Sequence, residues 1–139
     1  MKKLILITAA LLVTTFSYSQ ISKRDSTLKV LDDYMSTHIP DMNSGISEFK
    51  NTLSGTILIT KIFLFDDEPY SKEFELKNAE IKIEKLKVDR ESAKAYGFKY
   101  YWEISIGESW LLSSIEDQKV AQRIAEILTD LKSIVEKGK

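Results

Sequence analysis

The stretch YGFKYYWEISIGESWLL, Tyr96 to Leu112, carries three of the chain's six tyrosines and both of its tryptophans. Taken at the two-residue period of a strand, Tyr96, Phe98, Tyr100, Trp102, Ile104 and Ile106 fall on one face. Gly97, Lys99, Tyr101, Glu103 and Ser105 fall on the other. Aromatics that continue into isoleucine, with charge opposite, describe the inward stripe of a half-buried strand. Gly107-Glu108-Ser109 reads as a three-residue hairpin loop. That loop places Trp110 opposite Ile106 and Leu112 opposite Ile104, so both tryptophans face inward. A two-residue loop would instead point Trp110 outward.

Such a stripe needs cover, and the next segment supplies it. SSIEDQKVAQRIAEILTDLKSIVEKG sets Val120, Ala121, Ile124, Ile127, Leu128, Leu131, Ile134 and Val135 on one helical face. Ser113 with Glu116 has the spacing of a capping box, and Gly138 sits past the end. The spacing predicts a long terminal helix packed on a sheet.

Upstream, TILITKIFLF from Thr56 is apolar on both strand faces, which predicts a strand covered on both sides. Either a sheet with a helix against its outer face or a closed barrel under a helix would do this. DDEPYS is a turn, because Pro69 is barred from a central strand. KEFEL alternates, Lys77-Asn78 turns, and AEIKIEKLKV alternates again. In that last strand Ile81 and Ile83 are out of step with Leu86 and Val88, so a β-bulge near Glu84-Lys85 is expected. DRESAKA reads as a charged connector with one helical turn.

Before the strands, DSTLKVLDDYMSTH groups Leu28, Leu31, Tyr34 and Met35 on one helical face, with Asp25 or Ser26 as N-cap and Pro40 beyond the end. SGISEFKNTLSG is ambiguous, because Ile46, Phe49 and Leu53 fit helical spacing and Gly55 fits a helical stop. It is read as a short helix or an irregular lead-in.

The chain begins MKKLILITAALLVTTFSYSQ. Lys2 and Lys3 precede an apolar run from Leu4 to Phe16, and Ser17 and Ser19 provide small residues before a cut at Gln20. This is the pattern of a secretory signal peptide over residues 1–19. A membrane anchor would need roughly 20 apolar residues, and this run is shorter. The SYSQ junction resembles exported proteins of Bacteroidota, and the absence of cysteine excludes a lipoprotein anchor. The expected location is therefore the periplasm or the exterior, with no transmembrane anchor after cleavage.

Cleavage leaves residues 20–139, a length suited to one domain. The leader takes two lysines and no acid, so the formal charge of −1 becomes −3. Without a basic excess, binding to nucleic acid or an anionic membrane surface is not expected. A cysteine-free exported domain of this size must be held by its core.

The chemistry-bearing residues form no catalytic pattern. Nucleophilic catalysis lacks a cysteine, has one histidine, and shows no serine in a Gly-flanked elbow. The glycines include no phosphate-cradling motif, so no cofactor is implied. His38, with Asp33 and Asp41 nearby, ends a helix before a proline turn, where His and Asp are ordinary caps. Asp66, Asp67 and Glu68 could supply oxygens to calcium but lack the spacing and glycine of an EF-hand, and turns attract them anyway. No metal site is assigned. The remaining candidates are aromatic: Phe98, Tyr100, Tyr101, Trp102 and Trp110 as a ligand-binding set, with Phe98 and Trp102 also read as core and Tyr101 as an exposed contact.

The meander followed by YYWEI, WLLSS with its cap, and VAQRIAEIL resembles the second half of a pleckstrin-homology-like domain, over about Leu53 to Val135. The resemblance implies a bent, partly open barrel plugged by its terminal helix. It implies no phosphoinositide binding, because the loop after the first strand is acidic DDEPYSK, and no binding residue carries over. The five strands counted fall short of that family's usual seven, so either two more lie within Gly45 to Leu53 and Ser71 to Leu76, or the fold is another α+β arrangement such as a cystatin-like helix on a curved sheet. The fold expected is a single α+β domain: an N-terminal helix, an antiparallel meander of about five to seven strands, and a long C-terminal helix packed on it. The function expected is non-catalytic binding of a protein partner or a small apolar ligand. The alternatives are a small carboxylate-based hydrolase and a structural accessory subunit of an envelope complex.

Overall fold

The computed structural model describes residues 23–39 and 45–138; the expected leader and Asp41 lie outside them. A first helix, α1, covers residues 23–38. Three strands follow, β1 (Ile46–Ser54), β2 (Ile57–Leu64) and β3 (Tyr70–Glu75), paired in that order as one antiparallel sheet. A second antiparallel sheet holds β4 (Ile81–Lys87), β5 (Tyr100–Ile106) and β6 (Ser109–Ile115). A short helix, α2 (Arg90–Tyr96), joins β4 to β5, and α3 (Gln118–Lys137) closes the chain across the second sheet. Among the described residues the fold is thus α+β with six strands in two sheets and no closed barrel.

One core joins all the layers. From α1 come Leu31, Met35 and Ile39, from the first sheet Phe49, Leu58, Ile62 and Phe74, and from the second Ile104, Ile106, Leu112 and Ile115. The α3 stripe from Val120 to Leu131 is buried as expected, while Ile134 and Val135 are only half-buried.

Helix α1 runs antiparallel to β1 along its free edge. Its side chains take the place of a neighbouring strand. The Ser36 hydroxyl accepts from Phe49 N–H at 2.9 Å and donates to Phe49 O at 3.2 Å. Asp32 Oδ1 accepts from Asn51 N–H at 2.6 Å, and Arg24 donates to Leu53 O at 3.3 Å. A strand edge covered in this way cannot recruit another chain. Asp25 and Ser26 lie inside this helix rather than capping it.

Several expectations are corrected. The segment read as a short helix or lead-in is β1, a nine-residue strand. Gly55, read as a helical stop, opens the β1–β2 hairpin at φ 62°. Strand β2 is covered on one face only. Leu58, Thr60 and Ile62 are buried, while on the other face Ile57 and Phe65 are exposed and Ile59 and Phe63 half-exposed. The bulge expected at Glu84-Lys85 does not occur, because β4 pairs without interruption from Ile81↔Ile106 to Lys87↔Tyr100. Leu86 and Val88 therefore face away from Ile81 and Ile83. Tyr96 ends α2 instead of opening a strand; Asp89 caps that helix by accepting from Glu91 and Ser92 N–H, and Gly97 ends it at φ 79°.

The irregular strand is β6. Ser105 pairs Trp110 but Ile104 pairs Leu112, so Leu111 is an extra residue, and a second shift follows before Trp102↔Ile115. The bulges bend β6 and let Leu111, Leu112 and Ile115 all be buried. Ser113 consequently lies in this strand, and the cap of α3 is Asp117, which accepts from Lys119 N–H at 2.8 Å. At the second bulge Ser114 sits at φ 60°, a conformation that costs a non-glycine residue about 1–2 kcal/mol. Ser114→Gly is expected to raise unfolding free energy by about 0.5–1 kcal/mol after the entropy of glycine is deducted, as urea titration would read. A loss of stability would mean that the serine side chain, not the backbone, matters there.

Candidate functional site

The aromatic set does not converge. The β5–β6 hairpin turns on two residues, with Ile106 paired to Ser109 and Gly107 at φ 62°, so Trp110 points outward and is 56% exposed. Lys72 from β3 lies over its ring at 3.9 Å and donates to Leu111 O at 3.4 Å. Burial there pushes the Lys72 ammonium below the ordinary lysine range. Tyr100 and Trp102 share the opposite face of the sheet, and Lys85 reaches both, at 4.3 Å and 5.7 Å from the ring centroids. Trp102 packs partly against the core. Tyr101, paired with Leu86, is half-buried on the Trp110 side, and Phe98 is half-buried just before β5.

The Tyr100–Trp102 face is continuous with a groove that the sequence did not disclose. Residues Ile81, Ile83, Lys85 and Lys87 of β4 alternate onto this face, opposite Ile106, Ile104, Trp102 and Tyr100. Helix α3 covers the isoleucine end and leaves the lysine end open. Between them lies an open groove floored by Ile83, 37% exposed, and walled by Gln122, Ala125, Glu126, Thr129 and Asp130 of α3. Glu126 is paired with Arg123 at 3.2 Å, while Asp130 has no ion pair among the described residues. The groove thus has an apolar floor, an acidic flank and lysines beyond one end.

The register also shows what borders the groove. Val88 N–H donates to Lys99 O and Gly107 N–H to Glu80 O, so the even-numbered residues of β4 bond to β5. The N–H and C=O groups of Ile81, Ile83, Lys85 and Lys87 therefore point out of the sheet along its free edge. Edge β1 is covered by α1, and Lys72 bridges β3 to β6. Strands β3 and β6 are sheet edges too, joined to each other by that Lys72 bond; along β4, among the described residues, no other strand engages the outward groups.

Elsewhere the polar groups are occupied internally. His38 stacks on Tyr34 with ring centroids 4.0 Å apart, and its Nδ1 lies 2.9 Å from Tyr34 O. Burial, followed by the nearby Asp117 carboxylate, holds the Tyr34 phenol above its usual range. Buried Asn51 and Thr60 form a chain in which Thr60 Oγ1 donates to Asn51 Oδ1 at 2.6 Å and Asn51 Nδ2 to Asp32 Oδ1 at 2.8 Å. Among the described residues, no three His, Asp or Glu side chains cluster as metal ligands. No helix among them is long and apolar enough to cross a membrane.

Comparison with protein-family models, with curated proteins and with solved structures finds no match to this chain.

The signal that could have located the groove is Ile83 sharing a strand face with Lys85 and Lys87. A face that changes from isoleucine to lysine within one strand is running out of cover. Ala125 gave no signal, because alanine suits either flank of a helix.

Proposed function

We propose that the chain is an exported, non-catalytic binding domain, and that its binding surface is the β4 edge with the groove beside α3. The observation that carries this reading is the juxtaposition of outward backbone groups on Ile81, Ile83 and Lys85 with an apolar floor at Ile83. An extended segment of a protein partner can bond to such an edge while setting alternate side chains into a groove. Of the two ligand classes expected from the sequence, a protein segment is favoured. A small apolar ligand needs a site that encloses most of its surface, and one strand and one helix flank do not enclose it.

The enzyme alternative gains no support from the groove. Burial raises the Asp32 carboxyl, but two hydrogen bonds from Asn51 engage it in the β1 network rather than in the groove. The pleckstrin-homology-like reading remains an architectural proposal, supported by the terminal hairpin leading into a helix packed on the sheet.

Ala125 lies half-buried on the groove wall, so Ala125→Arg should fill the groove without disturbing the core. Co-purification from the native envelope, quantified by mass spectrometry, should show a partner whose recovery falls by about tenfold or more with this variant. A Thr52→Arg control on the outer face of β1 should leave recovery unchanged. Equal recovery with both variants would remove the groove from consideration.

A further inference from the structure

We propose that the occupant of the β4 edge is β4 of a second copy of this chain, added antiparallel across a two-fold axis at Ile83. This rests on the binding reading above and names the partner of that same surface. An antiparallel pairing of identical strands is generated by a two-fold axis, so both copies contribute the same residues and the assembly closes at two.

The register follows from the residues. The outward groups belong to odd-numbered positions, so odd must pair with odd. Every register centred on one of the seven β4 residues meets that condition. Those centred on Lys82, Glu84, Lys85 and Lys87 place a charge opposite its own copy, and that centred on Leu86 sets Lys85 opposite Lys87; directly opposed like charges are destabilising. That centred on Ile81 overlaps the two strands at one residue only. The register centred on Ile83 places Ile83 opposite Ile83, Lys82 opposite Glu84 in both directions, and Ile81 opposite Lys85. The sequence IKIEKLK is self-complementary in that register alone.

The same register satisfies the rest of the surface. The N–H and C=O groups of Ile81, Ile83 and Lys85 gain partners from the second copy. Its Ile83 side chain falls on the groove side, covering an isoleucine that is 37% exposed in the single chain. The acidic flank, where Asp130 has no ion pair among the described residues, then meets a strand bearing Lys85 and Lys87. Lys82 exchanges a solvated contact with Glu80, 3.4 Å long and exposed on both sides, for a cross-strand partner.

Sedimentation equilibrium of the purified chain tests this. The expected result is a dimer mass at about 10 µM and above. Lys82→Glu alone opposes two carboxylates and Glu84→Lys alone opposes two ammonium groups, so each should weaken the dimer about tenfold. The double exchange, Lys82→Glu with Glu84→Lys, should restore it. Lys85→Pro removes an outward N–H without touching the β4–β5 ladder, and should give a folded monomer by circular dichroism. A monomer mass persisting to about 1 mM overturns the proposal. So does a dimer indifferent to the single exchanges, or one that the double exchange fails to restore. If the chain is monomeric while Ala125→Arg still abolishes capture of another protein, only the second-copy assignment falls. If Ala125→Arg affects neither capture nor self-association, the binding reading falls with it.

Discussion

Replacing Phe49 by alanine is expected to cost about 3–5 kcal/mol, a large share of the roughly 5–15 kcal/mol that holds a domain of this size. Phe49 is 1% exposed, at the point where β1 meets the core, and its backbone N–H and C=O are both held by the Ser36 hydroxyl. Truncation leaves a cavity between α1 and the first sheet. It also loosens the docking of a helix whose own core residues, Leu31, Met35 and Ile39, depend on that contact. Thermal unfolding should shift downward by roughly 12–20 °C. Phe65→Ala is the control: that side chain is 70% exposed, so its removal should change stability by no more than about 0.5 kcal/mol. A loss of less than about 1 kcal/mol at Phe49 would mean that α1 and β1 are not packed as described.

Asp32→Ala is expected to cost about 2–4 kcal/mol, whereas Asp32→Asn should be slightly more stable than the native chain at neutral pH. The carboxylate accepts from both the backbone and the side-chain amide of Asn51, and Asn51 is 3% exposed. Alanine strands both donors, each at a cost of about 1–3 kcal/mol. Asparagine retains an acceptor oxygen and avoids burying a charge. Burial is the main reason that Asp32 ionises less readily than an ordinary carboxylate. The Asn51 hydrogen bonds oppose this, the Asp33 carboxylate reinforces it, and Lys50 opposes it.

The pH dependence follows in sign. Because the folded-state pKa lies above the unfolded value of 3.8, the folded state takes up the proton more readily. The penalty of the buried charge is complete above the folded pKa. It is relieved as pH falls from there toward the unfolded pKa. The advantage of Asp32→Asn over the native chain should therefore shrink between neutral pH and about pH 4, read as the difference between two urea titrations at each pH. A difference that grows on acidification would reverse the assigned sign.

This network explains why β1 was ambiguous, its helical spacing competing with a strand reading that only the pleckstrin-homology-like strand count suggested. In a strand, Phe49, Asn51 and Leu53 share the inward face, and an asparagine in the middle breaks the apolar alternation. The apolar residues that remain, Ile46, Phe49 and Leu53, happen to match helical spacing. Nothing local reveals that Asn51 is satisfied, since its partners, Asp32 and Thr60, lie 19 and 9 residues away. Trp110 was misplaced for a related reason. Its side depended on whether the hairpin turned on two residues or three, and the bulge that lets both Leu111 and Leu112 turn inward has no signature in WLLSS. The groove was invisible because an edge strand is defined by the neighbour it lacks.

Elements whose periodicity is complete within themselves were determined by the sequence. The α3 stripe from Val120 to Leu131, the inward alternation of Trp102, Ile104 and Ile106, the Lys77-Asn78 turn and the helical turn at DRESAKA all express local geometry and burial. Only the tertiary structure decided that an asparagine could occupy the core, that α1 would replace a strand at the β1 edge, and that β4 would be left unpaired beside α3. Each depends on groups brought together from distant parts of the chain. Hydrogen-bond partners and edge neighbours are properties of the assembled fold, not of any segment within it.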